Sequence, residues 1–286
     1  VLCVLPLFHA YAKLQGFLAP IAHGCAIYLE ERFHPVETLK AIAEHEITIF
    51  LGVPTMYAFF AQVPHLVEQL DFSKLRTAGS GGASLPAELL HKTNESFGVS
   101  ISEGYGLTES TVMLLTTHRS LPKKVNSVGM PLPGIDLKLI DPEGNEVANH
   151  EVGEILFRGP NMMKGYYKKP DETANTIRDG WLYTGDMAYR DEEGYHFIVD
   201  RKKDIIIRGG FNIYPREIEE LLYQHPAIVE CSVIGRPDPV FGEKTVAYVV
   251  SKDTDLTEED IRDYCKVKLA EYKVPDYISF IEEIPK

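Results

Sequence analysis

Between Pro35 and Ser102 the chain twice passes from an amphipathic helical stretch into a short apolar run, and this alternation limits the fold more than any other feature of the sequence. Pro35 opens the first stretch, in which Val36, Leu39, Ile42 and Ala43 share one face, and residues 47–51 follow as a buried, β-branched strand. A second helix is predicted over Ala87–Phe97, with Ser84 available as its cap and Pro86 in its first turn. The next strand is predicted over residues 99–102. Short strands buried on both faces and joined by helices pair in parallel, so the expected core is an α/β layer.

From residue 126 to residue 199 the texture changes to short alternating strands, Asp136–Ile140, Gly153–Arg158 and residues 195–199, separated by Pro-Gly, Asp-Pro-Glu-Gly and Glu-Glu-Gly turns. This is the pattern of a β-rich subdomain. Beyond the charged run at 200–204 the order becomes helix 216–224, strands 227–234 and 245–250, helix 258–271 and strand 277–281. Thr257 is the expected cap of the last helix, Ile261, Cys265 and Leu269 form its apolar stripe, and Pro275 lies just past its end. The boundaries expected are thus 1–125, the remainder of a large α/β domain, 126–201, its β-rich subdomain, and 202–286, a small α+β C-terminal domain. The 286 residues are enough for two unequal domains.

A net charge of −13, with no Lys/Arg block, argues against nucleic acid as the main partner, so an anionic ligand needs local cations and backbone donors. Cys3, Cys25, Cys231 and Cys265 form no CxxC pair, which points away from a zinc site or disulfide framework and towards a reducing cytoplasm. Residues 1–29 are apolar, but Pro6, His9, Lys13, Gln15, Pro20 and His23 break the run well short of the ~20 residues a membrane span requires. A buried strand and helix is expected there. The start at Val1, without Met or a basic n-region, reads as a fragment rather than a signal peptide.

Two stretches carry chemistry. Gly79-Ser80-Gly81-Gly82-Ala83-Ser84 follows a strand and precedes a helix, so its backbone can approach a ligand and its N–H groups can meet an anion. A structural turn of that composition is an equally good reading. In Glu103-Gly104-Tyr105-Gly106-Leu107-Thr108-Glu109 two glycines free the backbone around an aromatic ring, and a hydroxyl and a carboxylate follow. A flat ring, a phosphate donor and a metal ligand are what an adenine nucleotide with Mg²⁺ requires. The competing reading is a core Tyr and a solvated Glu.

The latter stretch resembles the adenine-binding motif of the adenylate-forming superfamily, which holds acyl-CoA synthetases, luciferases and peptide-synthetase adenylation domains. The resemblance implies that Tyr105 stacks on adenine, that Thr108 binds the AMP phosphate, and that Glu109 holds Mg²⁺. Thr108 and Glu109 are then the catalytic pair. It likewise assigns Gly82, Ala83, Glu103 and Gly104 to the nucleotide. Leu5-Pro6-Leu7-Phe8-His9 resembles an earlier motif whose His, here His9, lines the acyl pocket together with Gly81.

Asp179-Gly180-Trp181-Leu182-Tyr183-Thr184-Gly185-Asp186 and Asp200-Arg201-Lys202-Lys203-Asp204, a hairpin apart, resemble the fatty acyl-CoA synthetase signature. By that resemblance Asp186 accepts hydrogen bonds from the ribose hydroxyls, Arg201 assists there, and Lys203 is a hinge. Gly209 and Gly210 lie in the segment that meets the pantetheine of coenzyme A.

The implied function is a fatty acyl-CoA synthetase that uses ATP, Mg²⁺ and CoA, with a cytoplasmic location, a small carboxylic acid partner, no transmembrane segment, and a homodimer as the assembly considered. Another adenylate-forming enzyme, such as an aryl-CoA ligase, and a non-catalytic AMP-binding remnant are the alternatives. No Asp follows His9 where a peptide-synthetase domain holds its amino group. Two family elements do not occur: a Ser/Thr/Gly-rich loop ending in Pro-Lys-Gly, and a final Thr-x-x-Gly-Lys, for which Lys286 is not the match. The 286-residue chain is therefore expected to show only background ATP–pyrophosphate exchange, and exchange above background by the pure chain would contradict that.

Overall fold

The computed structural model describes residues 1–117 and 121–285; Lys286 lies outside them. The chain divides into two compact units, one of Val1–Thr184 with Tyr189–Ile198, the other of Gly185–Ala188 with Val199–Lys286. Both mix helices with sheets, the α/β class expected.

In the first unit a seven-stranded sheet runs in the order Tyr28–Leu29, Leu2–Cys3, Ile49–Gly52, Thr77–Ser80, Ile101–Tyr105, Leu115–Thr116 and Met130–Pro131. Its first five strands are parallel and its last two antiparallel. Helices Pro35–Glu44 and Ala87–Phe97 supply crossovers. The first of these buries Thr38, Leu39, Ala41 and Ile42, whereas Val36 and Ala43 are only half-buried, a rotation of the expected face. Thr38 tolerates this because its hydroxyl donates to the Glu30 carboxylate at 2.7 Å.

Two expectations at the second helix are corrected. Its cap residue is Pro86, with no side-chain cap bond from Ser84, because the preceding loop is drawn instead to Glu103, whose carboxylate accepts the Leu85 N–H at 3.1 Å. The following strand is Ile101–Tyr105 rather than 99–102, since the left-handed Gly98 ends the helix and Asn94 Oδ1 accepts the Ile101 N–H at 2.7 Å. Residues 99 and 100 are used up in that reversal. Helix Pro54–Phe60 was not anticipated; it packs Tyr57 and Phe60 around Phe50 and Phe97, and the Tyr57 hydroxyl donates to the Gly79 carbonyl at 2.7 Å. Residues 1–29 form strand Leu2–Cys3, a π-helical stretch Ala12–Leu18 and helix Ala19–Ala22. Among the described residues no helix is long and apolar enough to cross a membrane.

A second sheet orders Ile177–Arg178, Trp181–Arg190, Gly153–Arg158 and Asp136–Ile140, with His196–Arg201 also paired to Trp181–Arg190. Strands Asp136–Ile140 and Gly153–Arg158 have the bounds the alternation predicts. The last strand runs on to Arg201 rather than ending at residue 199.

The second unit holds a third sheet, Phe211–Ile213, Ile206–Arg208, Gly242–Ser251 and Ile228–Asp238, with Tyr277–Phe280 parallel to Gly242–Ser251. Both strands of its long hairpin exceed the expected lengths because pairing continues to Asp238 opposite Gly242. Helices Pro215–Tyr223 and Glu258–Lys268 cover it. Thr257 caps the latter reciprocally: its hydroxyl accepts the Asp260 N–H, and the Asp260 carboxylate accepts the Thr257 N–H. Ile261 and Cys265 are buried. That helix stops at Lys268, short of residue 271, because Leu269 turns to extended backbone before a short turn at Glu271–Lys273.

Asp276 ties three strands of this unit together. It accepts from Arg208 Nη2 at 2.8 Å and Nε at 3.1 Å, and from the Thr245 N–H at 3.0 Å and hydroxyl at 3.1 Å. Burial pushes its carboxyl up, but the Arg208 guanidinium and the Thr245 donors outweigh burial and hold it below the ordinary 3.8. A depressed carboxyl stabilises the fold above its unfolded value and loses that contribution as pH falls through its folded one. Asp276→Asn should therefore destabilise this unit by about 3 kcal/mol at pH 7, where Arg208 is left unpaired, and by progressively less as pH falls below 3.8, in urea melts over that range.

Candidate active site

Strands Thr77–Ser80 and Ile101–Tyr105 are parallel, with Ser80 opposite Glu103, so the second runs two residues past the carboxyl end of the first. In parallel sheets this edge is where ligands collect. The Gly81-Gly82-Ala83 loop leaves the first strand, with Gly82 at φ 82°, and Gly104-Tyr105 ends the second. Glu103 is 7% exposed and holds the loop through Leu85. Tyr11 is buried with its ring against Gly79 and Gly81, and His9, two residues earlier, is exposed with Nδ1 accepting the Tyr11 N–H at 3.2 Å. The fold thus brings nine of the predicted site residues, His9, Gly81, Gly82, Ala83, Glu103, Gly104, Tyr105, Thr108 and Glu109, into one unit. Tyr11 carries no signal in the sequence that sets it apart from the other aromatics.

Past Tyr105 the chain turns sharply. Tyr105 is half-buried and packs against the cluster of Leu114, Leu115, Val128, Phe157 and Leu182. The Tyr105 carbonyl accepts the Leu114 N–H at 2.8 Å and the Leu107 carbonyl accepts the Val112 N–H at 3.0 Å, closing a loop that contains the 3₁₀ turn Thr108–Ser110. Thr108 is exposed at its start. Only glycine fits at 106, because a Cβ there would run into the Val112 carbonyl. The return leg is strained: Thr111 has φ 50° and Val112 φ 82°. A β-branched residue in that region costs on the order of 1–3 kcal/mol and persists only where its surroundings enforce it.

Glu109, half-buried, accepts the Tyr166 hydroxyl on Oε1 at 2.7 Å, and no described residue hydrogen-bonds its other oxygen. Burial, and then this carboxylate, push the Tyr166 phenol up. No cluster of three or more His, Cys, Asp or Glu able to hold a metal occurs among the described residues. Mg²⁺ bound to a nucleotide does not need one, since it takes one or two carboxylates together with phosphate oxygens and water. The Glu109 carboxylate, with one oxygen oriented and one open, fits that role.

The remaining predicted residues, Asp186, Arg201, Lys203, Gly209 and Gly210, fall in the second unit. Asp186 is 17% exposed and Arg201 Nε stands 3.7 Å from its Oδ1, a loose ion pair. Lys203 is exposed in a turn closed by the Asp204 N–H donating to the Arg201 carbonyl at 2.9 Å. Asp200 beside it accepts the Arg216 N–H at 3.1 Å at the start of helix Pro215–Tyr223; burial pushes its carboxyl up, against the pull of this and the Arg201 N–H. Gly209 and Gly210, at φ 59° and 87°, are the two central residues of the hairpin that pairs Arg208 with Phe211, a turn with positive φ at both positions.

Comparison with known proteins places the chain in a family. The profile of the AMP-binding enzyme family matches residues 1–167, and that of the AMP-binding enzyme C-terminal domain matches residues 217–286. The chain belongs to the AMP-binding enzyme family. Among its relatives, a long-chain-fatty-acid–CoA ligase of Bacillus subtilis is 44% identical over 291 residues, covering 100% of the chain and 51% of the relative. A feruloyl-CoA synthase of an Amycolatopsis species is 40% identical over 282 residues, covering 98% of the chain and 57% of the relative. The crystal structure of ATP-bound MatB from Rhodopseudomonas palustris is similar with a TM-score of 0.94 and 33% identity, over 100% of this chain and 56% of that one. The chain spans about half the length of the curated relatives it matches.

On the reading of Tyr105 as a nucleotide contact, Gly106→Ala should abolish AMP binding by the chain, because the added methyl group would run into the Val112 carbonyl and displace the turn from Tyr105. Calorimetry with AMP, alongside a circular dichroism spectrum equal to wild type, checks this.

Proposed function

We propose that the protein carrying this chain is an acyl-CoA synthetase: a carboxylate attacks the α-phosphate of ATP to give acyl-AMP and pyrophosphate, and the CoA thiol then takes the acyl group, releasing AMP. A free carboxylate is a poor electrophile, and AMP is a competent leaving group, so activation must precede thioester formation. The observation that carries the reading is the Tyr105–Glu109 stretch, which follows a parallel strand end and presents ring, hydroxyl and carboxylate in one turn. Tyr105 stacks on adenine, and Thr108 donates to the phosphate. When bound, Mg²⁺ neutralises phosphate charge, and Glu109 is the carboxylate that would hold it. Backbone N–H groups of Gly82 and Ala83 face the nucleotide, while Glu103 keeps their loop against the strand end.

Asp186 accepts from the ribose hydroxyls, with Arg201 orienting it, and Gly209-Gly210 offers side-chain-free backbone to pantetheine. We place the functional boundaries at 1–125, 126–201 and 202–286, with Lys203 as the hinge. Each of these roles follows the family's motifs.

For the acid, a fatty acyl chain is the first choice, supported by the 44% identity to a fatty acid ligase. An aromatic acid is the second, favoured by the 40% identity to a feruloyl-CoA synthase. Thioester formation by the full-length protein from fatty acids of graded length and from hydroxycinnamates separates the two. Asp186→Ala should weaken AMP binding tenfold or more, about 1.5–3 kcal/mol for a hydrogen bond to a charged group, with the melting curve unchanged. Unaltered AMP affinity would remove Asp186 from the site.

A further inference from the structure

Two loops about fifty residues apart in sequence are stitched together at the candidate metal ligand. Asn161 Nδ2 donates to the carbonyls of Ser110 at 2.8 Å and Met113 at 3.0 Å, so the two acceptors fix which way its amide points. In return the Thr111 hydroxyl donates to the Asn161 carbonyl at 2.9 Å, and the Met163 N–H donates to the Glu109 carbonyl at 2.8 Å. Tyr166 completes the seam through its 2.7 Å bond to Glu109 Oε1. These bonds bracket Thr111 and Val112, the two residues held at positive φ. Such a turn springs open unless its surroundings over-determine it.

Resting on the nucleotide and metal reading of Glu109, we propose that Tyr166 and Asn161 are its positioning residues: Tyr166 sets the direction of the carboxylate, and Asn161 holds the strained turn that carries it. The phenol can do this because its own backbone is anchored. The Tyr166 N–H donates to Thr173 Oγ1 at 2.9 Å, and that hydroxyl donates to the Lys169 carbonyl at 2.8 Å. A Glu side chain has three rotatable bonds, and a single hydrogen bond to one oxygen orients it while leaving the other for a cation. Outer partners of this kind tune metal affinity by about tenfold to a hundredfold. Asn161 acts further back. Losing its two donated bonds frees Ser110–Met113 and with them Thr108, so its effect extends to the nucleotide.

The two roles have different signatures. Binding of Mn²⁺ in the presence of ATP, read by electron paramagnetic resonance, reports the metal; AMP affinity in the presence of a chelator reports the nucleotide alone. Tyr166→Phe keeps the ring and loses only the hydroxyl. It should weaken Mn²⁺ about tenfold and leave AMP within twofold. Asn161→Asp, of the same shape but without the donors, should weaken both. A general loosening of the loop would move AMP with the metal in Tyr166→Phe, and Mn²⁺ affinity unchanged in that variant would also overturn the proposal while leaving the nucleotide reading standing. If the wild-type chain takes up neither AMP nor Mn²⁺ with ATP, the reading and the proposal fall together. Should Asn161→Asp fail to fold, the metal-specific loss in Tyr166→Phe still decides the outcome.

Discussion

Strands Thr77–Ser80 and Ile101–Tyr105 pair in parallel with Ser80 opposite Glu103, so the second ends two residues beyond the first, and most of the first unit's candidate site is a consequence of that register. One strand end releases a glycine loop and the other an aromatic turn. The carboxylate at the register pair then accepts a backbone N–H from the far side of the glycine loop and keeps it folded against the sheet. A slip of one residue would turn Glu103 to the opposite face and leave that N–H unsatisfied. The sheet therefore does more than support the site; it decides which backbone groups the two strand ends leave unpaired by the ladder.

The second unit is organised by an ion pair rather than by a strand end. Arg208 and Asp276 lie 68 positions apart and join the hairpin at Gly209-Gly210 to the last strand, with Thr245 between them. Around them Ile206, Ile213, Ile218, Leu222, Val249 and Ile261 supply apolar burial. Asp200 plays a smaller version of the same part, reaching 16 positions along the chain to the helix at Arg216. In each case a charge is placed where backbone donors await it.

Local periodicity made much of this legible. Helix Ala87–Phe97 and strands Asp136–Ile140 and Gly153–Arg158 run over the residues their patterns predict, and Thr257 caps its helix with Asp260 three residues on, because all of these are settled within a few positions. Errors appeared where distant residues intervene. Ser84 has the chemistry of a cap, but the loop that contains it answers to Glu103; helix Pro54–Phe60 has only seven residues, and its buried face is set by contacts with Phe97 and Gly79. The site was readable to the extent that its residues sit in one stretch, from Glu103 to Glu109. Tyr11, Asn161 and Tyr166 carry no local signal, since what distinguishes each is a neighbour tens of residues away.

The seam between Ser110 and Asn161 also has a bearing on how the protein is made. A chain leaves the ribosome from its first residue onward, and the bonds that hold Thr111 and Val112 in their strained conformation come from partners 48 to 57 positions later. Until Asn161 and Tyr166 emerge, only local bonds such as that from the Val112 N–H to the Leu107 carbonyl favour the turn, and they must offset its strain alone. Locking of that turn then waits on the arrival of a loop about fifty residues further along the sequence.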